Sequence, residues 1–345
     1  MSEFFFFKLD SEERREVIQR AAVQSGMAED VLEKDIWLVW TLQCLFAIPN
    51  VPQMAFKGGT ALSKVFGAID RFSEDVDVSV DYRQLMPELY GANLASMSKS
   101  ARKKASDNLR GLLTKLSHDV LVPHIEVAAD TLMGKGACQI EVDASGEKIR
   151  LHYPSVAAKG GYLKDEVLIE LGGRNPTEPN QTRVLTAEIA RILPDFEWPT
   201  AEVAVLNPTR TFWEKATLIH IECNRTEPKF GDRIFRHWYD LSKLAEHEIG
   251  AEALANIMLL ENVVRHKEAF YAYSNVGYDG CLTGALRLVP GKGLLNMLAD
   301  DYRGMLEQRM FSGMPPDFNL IIDRIKRLET EINREVTAFN NRAAI

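Results

Sequence analysis

The sequence has few cysteines, and no two of them stand at a metal-binding spacing. Cys44, Cys138, Cys223 and Cys281 are far apart in 345 residues and form no CxxC motif. A disulfide framework or a zinc site needs clustered or regularly spaced cysteines, so the pattern argues against both. We predict four reduced thiols, which are typical of a cytoplasmic protein.

Long apolar runs are also missing. No segment of the chain approaches the roughly 20 apolar residues that cross a bilayer. The four consecutive phenylalanines at residues 4–7 follow Glu3 rather than a basic segment, so they make a poor signal peptide. We expect their rings to pack an N-terminal arm onto the body of the protein, and we expect no membrane contact.

The chain lacks a basic excess, fixed-period repeats and low-complexity tracts. Its net charge of −8 argues against nonspecific coating of nucleic acid or of an anionic membrane. Residues 99–115 depart from this balance, because they contain six basic residues and one acidic residue. The first four of these basic residues are Lys99, Arg102, Lys103 and Lys104. This predicted helix contacts an RNA backbone or is a solvated helix face, and both interpretations stay open.

The residues that are present have an ordinary globular composition, with 46% hydrophobic and 26% charged residues. Their pattern predicts an N-terminal helical segment at 1–50, an α/β core at 51–206 and a helical C-terminal domain at 207–345. Strands are predicted at MAF, EDVDVSV, GACQIEV, KIRLHYPSV, EVLIELGG and AEVAVL, with a polar loop at RNPTEPNQT. The predicted fold class is therefore α/β, with a mixed sheet flanked by helices.

Helix boundaries follow from capping residues. Asp10 or Ser11 is predicted to cap the first long helix, and a second helix is predicted to start near Ala28. Asn207 is predicted to cap the helix that opens the C-terminal domain, with Pro208 at its first position.

A glycine turn lies in the segment FKGGTALSKVFGAIDRFSEDVDVSV, residues 56–80. Gly58 and Gly59 follow a predicted strand, and Thr60 is predicted to cap the next helix. Glycines let backbone N–H groups approach a phosphate, and a helix N-terminus favours its negative charge. The turn is a candidate phosphate site, although such a turn alone also serves merely to redirect the chain.

Two aspartates end the same segment. Asp75 and Asp77 alternate with valines, so their side chains are predicted to project together from one face of a strand. Two like charges repel unless a cation lies between them, and oxygen-only ligands suit Mg²⁺ or Mn²⁺. Alone, the pair is also compatible with a solvated strand end. Together with the glycine turn, it favours a cleft that binds a metal ion and a nucleoside triphosphate.

This segment resembles the first motif of the nucleotidyltransferase superfamily, a glycine followed by Ser or Thr and then a strand with paired carboxylates. The string KGGTALSK…RFSEDVDVSV is similar to that of one branch, the AbiEii-type abortive-infection toxins of type IV toxin–antitoxin systems. The resemblance implies a nucleotidyltransferase core at 51–206. It further implies nucleotide binding by Lys57, Gly58, Gly59 and Thr60, and metal binding by Asp75 and Asp77.

Two later segments also resemble the family. NPTRTFWEKATLIH is similar to a motif whose lysine is Lys215 here, which would neutralise the triphosphate as pyrophosphate leaves. The alternative is a surface lysine paired with Glu214 or Glu222. RHWYDL is similar to a motif whose acid is Asp240, with Arg236 as a nucleotide contact on the same helical face. Asp240 would orient Lys215, or it would only form an i, i+4 salt bridge with Arg236.

Four further residues are singled out by the resemblance. Glu170, in EVLIELGG, would join the metal site as a third carboxylate or act as the base for the acceptor hydroxyl. Ser73 would contact the nucleotide and is a phosphorylation site in related toxins, although a bond to its own backbone is the alternative. Lys267 and Asp301 match recurring charged positions, without a predicted chemistry.

The implied activity is the transfer of a nucleoside monophosphate from a nucleoside triphosphate to RNA, at the 3′ end of transfer RNA in related toxins. The implied cofactor is Mg²⁺ or Mn²⁺, and the implied partner is a separately encoded antitoxin that controls growth inhibition or phage defence. Two alternatives stay open: transfer to a protein or small-molecule hydroxyl, and a non-catalytic nucleotide-binding interaction protein. Intact Asp75, Asp77 and Lys215 favour an enzyme, and the basic helix favours RNA.

Overall fold

A computed structural model describes residues 5–91, 94–158, 163–225, 233–271 and 276–343 of the chain. Its strands are β1 (Met54–Lys57), β2 (Val76–Val80), β3 (Gln139–Val142), β4 (Lys148–His152), β5 (Glu166–Gly172), β6 (Asn180–Thr186) and β7 (Thr200–Leu206). They form one sheet in the order β3-β4-β5-β2-β1-β7-β6. The pairs β1–β7 and β2–β5 are parallel and the other neighbours are antiparallel. The predicted mixed α/β sheet is thereby confirmed.

The chain forms two units. Unit 1 comprises Met1–Val65, Ser73–Tyr90 and Ala105–Leu206 and contains the sheet. Unit 2 comprises Phe66–Phe72, Gly91–Lys104 and Asn207–Ile345. Two short segments that the sequence pattern places in the core, 66–72 and 91–104, therefore group with the helical unit.

The helices of unit 1 are α1 (Phe5–Lys8), α2 (Ser11–Ser25), α3 (Glu29–Phe46), α4 (Gly58–Lys64), α5 (Tyr82–Leu85), α7 (Val122–Met133) and α8 (Ile189–Ile192). Helix α6 (Lys99–Leu116) has residues in both units. The helices of unit 2 are α9 (Pro208–Asn224), α10 (Arg236–Glu246), α11 (Glu248–Leu254), α12 (Ile257–Phe270), α13 (Tyr278–Leu282), α14 (Lys292–Glu307) and α15 (Phe318–Ala343).

The N-terminal helices start where their capping residues predict. Asp10 accepts hydrogen bonds from the backbone N–H groups of Glu12 and Glu13, and Glu13 accepts one from the N–H of Asp10. This reciprocal pair is a capping box, which satisfies donors that the first turn of α2 leaves without partners. Helix α3 follows Ala28, as predicted.

Helix α3 packs against β5 and β7 and forms the centre of an aromatic cluster in unit 1. The ring of Trp37 stacks on Tyr153 at a centroid distance of 5.0 Å and meets Phe7 edge-on at 4.8 Å. Phe6 and Phe7 are buried, so the prediction that the N-terminal phenylalanines pack onto the body is confirmed for these two. Phe4 lies outside the described residues.

The polar loop predicted at RNPTEPNQT is wrong for its last three residues. Residues Asn180–Thr186 form β6, which pairs with β7 along its length at one edge of the sheet. An edge strand has no second strand to cover it, and Leu185 is the residue of β6 whose side chain is buried. The strand therefore lacks the apolar alternation that identifies strands in a sequence.

Unit 2 opens as predicted. The side chain of Asn207 accepts hydrogen bonds from the N–H and the hydroxyl of Thr209, and Pro208 occupies the first position of α9. Helix α9 packs against α10, α11 and α12. Trp213, Trp238 and Tyr239 are buried, which confirms that these aromatics pack in the core and are not base-stacking surfaces.

The four cysteines are free thiols, as predicted. Burial raises the pKa of Cys44 and of Cys281 to about 12. Within the described part of the chain, no helix is both long enough and apolar enough to cross a membrane.

Candidate active site

The glycine turn and the acidic strand are in contact in unit 1. Strand β1 runs into α4, and Lys57 at its end lies opposite Asp77 in the antiparallel pair of β1 and β2. Gly58 follows with φ +79°, a left-handed backbone conformation that residues other than glycine rarely adopt. A Cβ atom on Gly58 would lie 2.7 Å from Cγ of Asp77, closer than real Cβ contacts come. The site requires glycine at this position because Asp77 occupies the space.

The two aspartates are held by different means. Asp77 lies within β2, between Val76 and Val78, whose side chains are fully buried. Asp75 precedes the strand, and its carbonyl oxygen accepts a hydrogen bond of 2.7 Å from Oγ1 of Thr60. Both aspartates are half-buried. Thr60 therefore holds the backbone at Asp75, and Gly58 lies against the side chain of Asp77.

The prediction that Thr60 caps α4 is wrong. The residue before the helix is Lys57, and no side chain caps the helix there. Thr60 lies in the first turn, is 2% exposed, and donates its hydroxyl proton to Asp75 instead. Its hydroxyl thus positions the acidic segment, and its role as a nucleotide contact stays a prediction.

Glu170 lies beside Asp77, and its carboxylate forms an ion pair with a lysine side chain. The two residues are register partners in the parallel pair of β2 and β5. Oε1 of Glu170 is 2.7 Å from Nζ of Lys148, and this hydrogen bond raises the pKa of Lys148. Among the described residues, no three His, Cys, Asp or Glu side chains are grouped for a metal ion. A third carboxylate ligand stays a prediction.

The donor set at the turn fits a hard divalent cation. Asp75 and Asp77 offer only oxygen ligands, and Mg²⁺ is commonly held by one or two carboxylates together with substrate phosphates and water. Because Gly58 carries no Cβ, the backbone of the turn approaches the carboxylate of Asp77 closely. Ser73 is half-buried near this pair in the chain. Its role as a nucleotide contact stays a prediction.

Lys215, in unit 2, is a buried cation with a buried partner. Its Nζ is 2.8 Å from Oδ2 of Asp240, and both side chains are almost completely inaccessible to water. The surface-lysine alternative is therefore wrong, since Glu214 is 3.3 Å from Nε of Arg210 and Glu222 is paired with Arg225, just after the helix. Burial lowers the pKa of Lys215, and the charge of Asp240 opposes that shift.

Asp240 binds a second cation, which the sequence analysis did not select. Nε and Nη2 of Arg71 are 2.6 Å and 2.7 Å from the two carboxylate oxygens of Asp240, a bidentate pair. Burial would raise the pKa of Asp240, yet the charges of Arg71 and Lys215 hold it well below its ordinary value. The prediction that Asp240 orients Lys215 is supported by this geometry. A lone salt bridge to Arg236 does not describe it.

Arg71 belongs to a segment that is fastened within unit 2. The N–H of Phe72 donates to the carbonyl of Met310 at 2.7 Å, and the N–H of Ser312 donates to the carbonyl of Asp70 at 2.9 Å. The carboxylate of Asp70 is 2.7 Å from Nζ of Lys243. An arginine between two motifs, in RFSED, was the only sequence signal for this contact, and charge alone did not reveal its partner.

The remaining predicted residues divide into surface and structural positions. Lys99, Lys103 and Lys104 are exposed on α6, and Arg102 is half-buried with Nη1 donating to the carbonyl of Glu268 at 3.4 Å. The two residues without a predicted chemistry have structural bonds. Nζ of Lys267 donates to the carbonyl of Glu214 at 2.8 Å, and Asp301 accepts from the N–H groups of Arg233 and Phe235 just before α10.

One known protein family matches most of the chain. The sequence model of the family described as "Nucleotidyl transferase AbiEii toxin, Type IV TA system" matches residues 40–324. Among solved structures, the chain is similar to MenT4, a nucleotidyltransferase toxin from Mycobacterium tuberculosis. The similarity covers 96% of this chain and 99% of that chain, with 14% identical residues and a TM-score of 0.44. No curated protein matches the sequence.

Proposed function

The chain belongs to the AbiEii family of nucleotidyltransferase toxins of type IV toxin–antitoxin systems, and on this premise we propose that it transfers a nucleoside monophosphate from a nucleoside triphosphate to RNA. Membership of the family implies a nucleoside triphosphate as substrate and an antitoxin as partner. The acceptor that we propose is the 3′ end of transfer RNA. The contact between Gly58 and Asp77 is the single observation that carries the proposal: a glycine turn suited to a phosphate lies against a carboxylate suited to a divalent cation.

In the proposed reaction, an acceptor hydroxyl oxygen forms a bond to the α-phosphorus and the bond to the β-phosphate oxygen breaks. Pyrophosphate leaves, and the hydroxyl proton passes to a carboxylate, for which Glu170 beside Asp77 is our candidate. A bound Mg²⁺ or Mn²⁺ supplies charge neutralisation on the phosphate oxygens and activates the hydroxyl. Asp75 and Asp77 would hold it.

We propose roles for backbone amides of unit 1 and for a lysine of unit 2. The backbone N–H groups of Gly58 and Gly59 would receive phosphate oxygens, since glycine lets the backbone approach closely. Lys215 would offset the charge that grows on the leaving pyrophosphate, and its buried partner Asp240 keeps the ammonium group in one orientation. Lys57, Ser73 and Arg236 are proposed as further nucleotide contacts.

RNA is favoured as acceptor by the surface of α6. Three lysines at 99, 103 and 104 are exposed within two turns of one helix in a chain of net charge −8. Phosphate-backbone binding requires a local basic face of this kind.

The test is incubation of the purified protein with total cellular RNA, Mg²⁺ and each α-³²P-labelled nucleoside triphosphate in turn, beside Asp75→Asn. We expect a labelled band of transfer-RNA size that the variant does not produce. Label in protein or small molecules, with none in RNA, would replace the RNA acceptor by another hydroxyl. No label in any fraction would contradict the enzyme assignment.

A further inference from the structure

Three consecutive residues of α3 place charge inside unit 1. Glu33 and Lys34 are 1% and 2% exposed, and the side chain of Asp35 is 14% exposed. Charged side chains are rarely buried unless they are paired. Successive residues of a helix project about 100° apart, so three neighbours reach three different segments from one rigid element.

Lys34 binds the segment that leads into the acidic pair. Its Nζ is 2.6 Å from Oε2 of Glu74 and donates a second hydrogen bond of 3.1 Å to the carbonyl of Lys164. Glu74 is the residue immediately before Asp75, and the carbonyl of Asp75 is bound to Thr60. The backbone at Asp75 is therefore flanked by one ionic contact from α3 and one hydrogen bond from the turn.

Asp35 binds the helix that begins with the glycine turn. Its Oδ1 is 2.7 Å from Nζ of Lys64, the last residue of α4, and its Oδ2 accepts a hydrogen bond of 2.6 Å from the N–H of Glu188. Lys64 is itself only 7% exposed. Because α4 starts at Gly58, the far end of the turn's own helix is fixed by the residue next to Lys34.

We propose that Lys34 and Asp35 are positioning residues of the nucleotidyltransferase site. From adjacent places on one helix they fix the two chain segments that carry the glycine turn and the paired acids, and so they set the separation of phosphate and metal ligands. The inference rests on the proposed function, because the site that they position is the one assigned there. Helix α3 suits this role, since Trp37, two residues further on, is completely buried.

Glu33 provides the matched comparison. Its carboxylate is as buried as Lys34 and accepts hydrogen bonds from the Ser155 hydroxyl and from the N–H groups of Val156 and Ala157, at 2.7, 2.9 and 3.2 Å. These residues follow β4 and include none of the proposed ligands. A change at Glu33 removes a buried charge from the same helix without touching either site segment.

The experiment measures metal binding in the full-length protein. Mn²⁺ affinity is followed by electron paramagnetic resonance in the presence of α,β-methylene analogues of the four ribonucleoside triphosphates, which resist transfer. We expect Lys34→Met to weaken Mn²⁺ binding per folded molecule by about 10- to 100-fold, the range seen when a residue that orients a metal ligand is lost. Glu33→Gln should lower thermal stability without changing this affinity, and Lys34→Arg should restore part of it.

A double variant separates positioning from the cost of an unpaired charge. Lys34→Met combined with Glu74→Gln removes both charges of this ion pair, so a defect that comes only from separating the pair should disappear. Continued weak Mn²⁺ binding in the double variant supports positioning, and recovery to the wild-type affinity overturns it. Lys64→Met, at the neighbouring pair, is the second test if Lys34→Met does not fold.

The outcomes for this inference and for the proposed function differ. If wild-type protein binds Mn²⁺ with an analogue and Lys34→Met and Lys64→Met bind it equally well, the positioning role is overturned and the function stands. If wild-type protein binds no Mn²⁺ with any analogue, the metal-dependent function is overturned and the positioning role with it.

Discussion

The charged cluster around Asp75 and Asp77 in unit 1 differs in composition and burial from the one around Asp240 in unit 2. In unit 1, Asp75 and Asp77 are half-exposed carboxylates of like sign, and Asp77 lies directly against Gly58. In unit 2, Asp240 is completely buried and lies between the cations of Arg71 and Lys215. The first cluster brings two carboxylates of like sign close together, and the second contains opposite charges that compensate one another.

Because the two clusters differ in this way, we expect substitutions in the first to affect activity and substitutions in the second to affect stability. Neutralising a half-exposed acid removes a ligand but should remove little folding free energy, because water and salt partly screen its charge. Removing one partner from a buried pair leaves a charge without compensation in a medium of low polarity, and that is strongly destabilising. The same Asp→Asn change should therefore have different consequences in the two units.

The largest effect is expected at the acidic pair. Asp75→Asn and Asp77→Asn should each reduce nucleotide transfer by about 10³-fold or more, because a metal ligand is lost, which corresponds to about 4 kcal/mol in the activation barrier. The free energy of unfolding should stay within about 0.5 kcal/mol of wild type. Transfer kinetics check the loss of activity, and urea denaturation of the same preparations checks the free energy of unfolding. Full activity in both variants would refute the metal-site assignment.

Asp240→Asn should produce the complementary result, a loss of stability. We expect the free energy of unfolding to fall by about 3–5 kcal/mol, since the variant leaves buried Arg71 and Lys215 without their carboxylate. Urea denaturation measures the change. Lys215→Met should cost less, because Arg71 still holds Asp240 by two hydrogen bonds, and yet it should impair use of the triphosphate severely. A mild effect of Lys215→Met on transfer would remove the proposed catalytic role.

The stability that Asp240 contributes should depend on pH in one direction. The pKa of Asp240 is lowered in the folded protein, so its contribution to stability is present above the unfolded pKa of about 3.9 and is lost as pH falls below it. The gap between wild type and Asp240→Asn should therefore be constant near neutral pH and narrow below about pH 4. A gap that widened in acid would contradict the ionised, doubly paired carboxylate.

Gly58→Ala should reduce both nucleotide transfer and folding stability, each to a smaller extent than the changes above. The methyl group would strain a backbone at φ +79° and push against Asp77, so we expect about 1–3 kcal/mol of destabilisation and a fall in transfer of about 10- to 100-fold. Gly26→Ala is the matched control, because Gly26 has φ +73° but no atom within 4 Å of an added Cβ. It should cost stability and spare transfer. Equal transfer in the two variants would show that the contact with Asp77 does not matter.

The smallest effect is expected on the exposed surface of unit 2. Lys103→Ala with Lys104→Ala should weaken RNA binding mainly at low salt and reduce the slope of log affinity against log salt by about 1 per lysine. Lys326→Ala, at an exposed position of α15, is the control and should leave the slope unchanged. Filter binding over a range of salt concentrations provides the slopes. Identical slopes for all variants would assign the basic helix to solvent alone.

Much of the local structure was predictable because it depends on neighbouring residues. Capping by Asp10 and Asn207 and the burial of Val76 and Val78 follow from side chains within a few positions of one another. Strand β6 was missed because an exposed edge strand tolerates polar residues on both faces. The role of Thr60 was misjudged for a related reason, since its hydroxyl bonds to a residue 15 positions away in the chain.

The sequence alone determined the glycine turn, the paired acids, the buried faces of the helices and the resemblance to a nucleotidyltransferase family, since periodicity, capping and motif spacing are local properties. Tertiary structure alone decided the partners of the charges. It brought Arg71 to Asp240 across 169 positions and Lys34 to Glu74 across 40. Opposite charges are attracted at any sequence separation, and which of them meet inside the protein is set by how helices and strands pack around them.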